Sequence, residues 1–242
     1  MLTLAKTLLE EPGFKRLISG IEAGGCPAVV NGLSEIHRAH IAAAIRTGTM
    51  RPIVVFCSAE DECERVAQDI GALTMEQPLT LSMREFIFHN TEGVSRQIEQ
   101  RRLATLNALV ENRAPIIVMS VSGALQRTLP PTLLKKVSMT LKAHEEYDIN
   151  DVINKLIKCG YSRSEQVEGT GQFALRGGIL DFFSPAHDEP VRCEFYGDVI
   201  DTMCFFDVLS QRRSGTLDRA RITPVAEMLP SLYHGSGGDG MT

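Results

Sequence analysis

The chain has 242 residues, 43% of them apolar and 23% charged, with 25 Lys and Arg against 30 Asp and Glu for a net charge of −5. That length allows one or two domains with a real core, and the composition excludes disordered and collagen-like chains. The acidic balance points to protein partners, because a chain that coats nucleic acid usually carries the opposite charge.

No run approaches the ~18 consecutive apolar residues that a membrane span needs. The opening apolar stretch is broken by Glu10, Glu11 and Pro12 before any small-residue cleavage site, so it reads as a short helix and not a secretion signal. The expectation is a soluble, cytoplasmic protein. The six cysteines (Cys26, Cys57, Cys63, Cys159, Cys193, Cys204) form no CxxC and sit mostly in apolar runs, where a free thiol behaves as a small hydrophobe. A reducing compartment fits them.

Residues 27–31 read as a short buried strand, followed by Gly32 and an alanine-rich helix over 34–45 that Ser34 can cap. Residues 52–57 are the next strand. A helix then runs from Ser58 or Asp61 to Ile70 and closes at Gly71. A longer helix covers about 94–111, and another apolar strand follows at 115–121. Continuous apolar strands alternating with helices predict a parallel sheet covered on both faces, an open α/β layout.

After Pro130 and Pro131 the pattern changes. Asp148 or Asn150 can cap a helix carrying Val152, Ile153, Leu156 and Ile157, which Gly160 ends. Strands then dominate over 172–183, 191–196 and 199–206, with Gly197-Asp198 as a hairpin turn. Residues 1–127 are therefore read as the first part of an α/β domain and 128–207 as a smaller inserted α+β domain. Residues 208–242 return to the first domain, with 222–229 as the returning strand and a mobile glycine-rich tail over 234–242.

Strand, glycine, helix is where a P-loop protein holds phosphates. Laying G-x-x-x-x-G-K-[ST] on Gly32 puts His37, Arg38 and Ala39 where Gly, Lys and Ser/Thr belong. A side chain at His37 blocks close backbone approach, Arg38 is a wide fork instead of a compact ammonium, and Ala39 offers Mg²⁺ no hydroxyl. No Walker-B acidic pair follows an apolar strand, and Asp188-Glu189 reads as solvated surface. The expectation is no nucleotide cofactor and no catalysis. His37 and His40 share a helix face but lack a convergent carboxylate or thiolate, so no metal is assigned to them.

Arg176 lies in an apolar strand directly before the paired glycines Gly177 and Gly178, with Arg163 upstream and Arg192 on the next strand. Together they could form a cationic, aromatic-edged patch on one sheet face, of the composition protein interfaces concentrate. The alternative is a set of solvated edge charges beside core phenylalanines. A DNA-binding reading rests on Arg96, Arg101 and Arg102 along one helix. Glu92, Glu99 and Glu111 share that helix, which favours a solvated, salt-bridged face.

The order GYSR, GQFALRGGILDFFSP, PVRCEFYGDVIDTMCFFD, SQRRSG and ITPVAE, with the stretch from Met83 to Pro131, resembles the UvrB-like N-terminal module of the bacterial transcription-repair coupling factor (Mfd) family over about residues 5–230. The resemblance implies a helicase-like α/β domain with a degenerate P-loop at Gly32, His37, Arg38 and Ala39, interrupted by a domain that docks onto UvrA. It places docking on Arg163, Arg176 and Phe183. The span from Leu79 to Gly93 is too short for the damage-probing hairpin of UvrB. The resemblance further implies that this chain is a non-catalytic fragment that recruits UvrA. The family's full-length protein also binds RNA polymerase and double-stranded DNA and translocates with ATP and Mg²⁺. The rival expectation is a nucleic-acid-binding helicase-like module with weak residual nucleotide binding.

Overall fold

The computed structural model describes residues 7–25, 27–84, 92–113 and 115–228, with side chains from residue 98 onward in the helix that opens at Glu92. Cys26, the tail over 234–242 and residues 85–91 of the stretch expected to lack a hairpin lie outside the described residues. In chain order, α1 (Pro12–Glu22) starts with a proline in its first turn, where the missing N–H costs nothing, and buries Phe14. Helix α2 (Glu35–Thr49) follows, then β1 (Ile53–Cys57), α3 (Glu60–Thr74), β2 (Leu79–Leu81), α4 (Glu92–Val110), β3 (Ile116–Ser120) and the short α5 (Val121–Leu125).

The chain separates into two compact units, the first comprising residues up to 86 together with 111–126. Its sheet is parallel, in the order β1-β3-β2, with Ile53 opposite Ile116 and Leu79 opposite Ile117. Ala39 and Ala43 of α2 and Cys63, Val66, Ala67 and Ile70 of α3 pack on Cys57, Ile116 and Val118. Glu60, Asp61 and Glu62 fill the first turn of α3, where carboxylates complement the helix dipole. Ser120 ends β3 and caps α5 by accepting from the Gly123 N–H at 2.8 Å.

Three expectations change here. Residues 27–31 are exposed and form no strand, with Val29 at 81% exposure. Four apolar residues make a strand only where a neighbouring edge takes up their backbone groups. The sheet is not covered on both faces either: Val54 and Phe56 of β1 are exposed. Helix α3 runs past Gly71 to a left-handed cap at Met75, because Gly71 is needed for space and not for turning. A Cβ there would stand 3.1 Å from the Pro78 ring and 3.2 Å from the Glu76 carbonyl.

The second unit comprises residues 87–110 and 127–242. It holds α4 with α6 (Pro131–Val137), β4 (Met139–Lys142), α7 (Ile149–Lys158), β5 (Ser162–Arg163), β6 (Gln172–Arg176), β7 (Ile179–Phe182), β8 (Val191–Tyr196), β9 (Val199–Phe206), β10 (Arg213–Thr216) and β11 (Arg219–Ile222). Six strands pair in the order β10-β9-β8-β7-β6-β5, antiparallel except at β5–β6, and β11 pairs antiparallel with β4. Asp148 caps α7 by accepting from the Asn150 N–H. The helix lays Val152 and Leu156 on Phe173, Leu180, Phe182, Val191 and Cys193. Residues 213–222 thus pair inside this unit instead of returning to the first, and α4 joins it from upstream. Alternation alone could not reveal this, because β10 and β11 are four residues each and β10 has no apolar side chain. Among the described residues no helix is long and apolar enough to cross a membrane.

The five described cysteines are free and buried. Burial pushes the Cys63 thiol up to about 12 and the Cys159 thiol up to about 11, and raises Cys193 and Cys57 as well. The thiols stay protonated in the folded state, whereas unfolded thiols ionise near 9.0. Their contribution to stability is therefore complete below about pH 9 and is lost as pH rises from there to about 11 for Cys159. Iodoacetamide at pH 7.5, read by peptide mass spectrometry, is expected to leave these five unmodified in the native chain and alkylate all of them in urea. Rapid native labelling of Cys159 or Cys193 would contradict this packing.

Candidate functional site

Strands β6 and β7 form a hairpin across Gly177 and Gly178, with Arg176 opposite Ile179. The paired glycines therefore turn the chain, with Gly177 at φ +60. Cross-strand register sorts the sheet into two faces. Phe173, Phe182, Val191 and Phe205 share one row, and the neighbouring row of Leu175, Leu180, Cys193 and Met203 lies on the same face over the core. The opposite face carries Ala174, Asp181, Arg192 and Cys204 in one row and Arg176, Ile179, Glu194 and Thr202 in the next.

On that face Asp181 is buried, its side chain 1% exposed. Arg192 clasps it with Nε to Oδ1 at 2.7 Å and Nη2 to Oδ2 at 2.9 Å, the bidentate fork that matches a carboxylate. The Asp181 bond raises the Arg192 pKa above its ordinary value. Arg192 also stacks 4.5 Å from the Phe206 ring centroid and donates to the Gln211 carbonyl at 3.3 Å. Arg176 approaches from β6 and donates Nη2 to Asp181 Oδ2 at 2.7 Å, its side chain 46% exposed. Glu194 accepts from Thr202 at 3.1 Å and from Arg213.

The structure thus brings Arg176 and Arg192 together, as a pair around a shared carboxylate that sequence reading missed. Asp181 sits in an apolar run, and the only signal for it was the two-residue turn that sets it across from Ala174. Arg163 is exposed on edge strand β5 opposite Phe173, in the other row parity, so register does not place it on the Arg176 face. Phe183 is half-buried against Val167, Ala174 and Phe206 and extends the hairpin by donating its N–H to the Gln172 carbonyl at 3.0 Å.

At the start of α2, Gly32 has φ +79, and Ser34 and His37 cap the helix reciprocally, the Ser34 N–H reaching His37 Nδ1 at 3.4 Å. Arg38 pairs with Glu62 at 3.3 Å, and Ala39 is buried against α3. Ser58 donates to Glu62 and, with Arg38, holds that carboxyl below its usual range. A groove of about 460 Å³ here is lined by Glu35, Glu62 and Asp69 against a single Arg65. Ser34 and His37 satisfy each other at the helix start, and three carboxylates face one guanidinium. Among the described residues no three His, Cys, Asp or Glu are arranged to hold a metal.

Helix α4 differs from both expectations made for it. Arg102 is fully buried in an ion pair with Glu227, Nε to Oε1 at 2.7 Å, so it is neither a DNA contact nor part of a solvated face. Arg101 is exposed, and the Arg96 side chain lies outside those described.

Residues 139–228, the strand-rich part of the second unit, match the model of the UvrB interaction domain. Beyond that segment, the chain is similar to transcription-repair-coupling factors from several bacteria. That of Bacillus subtilis is 29% identical over 222 residues, 91% of this chain and 19% of the relative. The Myxococcus xanthus protein is 28% identical over 224 residues, covering 89% and 19%, and one from Staphylococcus aureus is 24% identical over 229 residues, covering 94% and 19%. The chain spans about a fifth of the length of these relatives. Together the matches give a likeness to the UvrB interaction domain over residues 139–228 and a likeness of nearly the whole chain to part of the transcription-repair-coupling factors.

Proposed function

We propose that the chain is a non-catalytic scaffold that recruits UvrA, so that stalled transcription is coupled to nucleotide excision repair. The observation that carries this reading is the polar face of the second unit. An exposed arginine there is held by a buried carboxylate, within the segment that matches a UvrB interaction domain. A fixed, half-exposed guanidinium has the composition of an interface anchor. The capped, carboxylate-lined start of α2 supports the further reading that this chain takes no nucleotide. Contacts with RNA polymerase and double-stranded DNA, and the use of ATP and Mg²⁺ for translocation, we assign to the part of coupling factors that this chain does not cover.

Size-exclusion co-elution with purified UvrA tests the docking role. The native chain is expected to shift into the UvrA peak, and a chain with both Arg163→Ala and Arg176→Ala to elute alone with an unchanged circular dichroism spectrum. Equal co-elution of both chains would remove the docking role from this face.

A further inference from the structure

The three charged groups at the β6–β7 hairpin are unequal. Asp181 is 1% exposed, Arg192 13% and Arg176 46%. Arg192 engages Nε, Nη1 and Nη2 with Asp181 and Gln211 and stacks on Phe206, so its donors are committed inside the domain. Arg176 gives only Nη2 to Asp181, and its Nε and Nη1 have no partner among the described residues. Two guanidinia share one carboxylate. The neighbouring Glu194 is already matched by Arg213 and Thr202. The face therefore lacks one negative charge, at the outer edge of Arg176.

We infer that Asp181 is a positioning residue for docking: anchored by Arg192, it holds the Arg176 guanidinium so that its free edge receives a carboxylate side chain of the partner. This rests on the UvrA-docking reading and adds the chemistry of the contact. A free arginine must give up rotamer freedom on binding, whereas one already pinned through Nη2 loses less, and its planar fork fits a carboxylate in one orientation. Buried Asp181 touches no partner in this scheme. Its effect passes entirely through Arg176.

The test is a double-mutant cycle on UvrA affinity, measured by calorimetry with the whole chain and thermal melts as fold controls. Arg176→Ala is expected to weaken binding about 30-fold and Asp181→Asn about tenfold, while Asp181→Asn adds less than about twofold in the Arg176→Ala background. Native affinity in Asp181→Asn, or an equal tenfold loss in both backgrounds, overturns the positioning role. Should Asp181→Asn fail to fold, exposed Arg176→Lys serves instead. It keeps the charge but not the fork, and is expected to lose at least about tenfold, whereas native-like binding overturns the inference. If Arg176→Ala itself binds as tightly as the native chain, the docking reading fails, independently of what Asp181 does.

Discussion

Arg102→Leu is expected to lower the unfolding free energy of the second unit by about 3–5 kcal/mol, because it removes the cation that compensates the buried Glu227 carboxylate. The pair is 0% and 1% exposed at its two ends and joins residues 125 positions apart in sequence. Glu99 on the same helix accepts the Glu227 backbone N–H at 2.7 Å, and Gln100 donates to the Thr170 carbonyl at 3.2 Å. Helix α4 is thus tied by polar contacts to both the 164–171 loop and the end of the described chain. Urea unfolding followed by circular dichroism measures the loss. The double variant Arg102→Leu with Glu227→Leu is expected to recover most of it, since apolar groups of similar volume carry no desolvation penalty. A loss under about 1 kcal/mol for Arg102→Leu alone would mean that the carboxylate finds another partner or water.

The second large effect falls on the hairpin that presents Arg176. A Cβ on Gly178 would stand 2.8 Å from the Phe195 carbonyl oxygen, and that oxygen belongs to backbone, which cannot swing away. The Gly178 carbonyl itself accepts the Phe195 N–H at 2.8 Å, at the point where the β8–β9 register shifts between Glu194 and Phe195. Gly178→Ala must therefore push two strands apart, and is expected to cost about 1–3 kcal/mol and to weaken UvrA capture several-fold by turning Arg176 from its position. Gly177→Asn is the control. Nothing lies within 4 Å of a Cβ there, and asparagine tolerates the left-handed backbone. Equal melting temperatures for Gly178→Ala and the native chain would show that the strands relax freely.

Local chemistry made several features legible in advance. The Gly197-Asp198 turn joins β8 and β9 with Tyr196 opposite Val199, and Asp148 opens α7 as its side chain allows. The glycine pair after Arg176 signals a relaxed backbone, although 172–183 reads as one strand and the structure folds it into two. The departures at His37, Arg38 and Ala39 from a phosphate-binding loop are read from residue type alone, and the structure, which has no strand at 27–31, spends the first two of these residues on a helix cap and an ion pair. In each case the deciding contacts lie within a few residues of chain, or the side chain type is itself the message.

What needed the fold was every pairing that crosses long stretches of sequence. Residues 27–31 have the composition of a strand but no edge to join, and β10 lacks that composition yet is a strand because β9 accepts it. Arg102 reads as surface by its residue type and is buried because Glu227 reaches it. Asp181 looks like an interruption in an apolar run and becomes the centre of the candidate site because hairpin and ladder set two arginines around it. Composition and spacing report what a side chain prefers, while burial and charge compensation depend on which distant neighbour the backbone delivers to it.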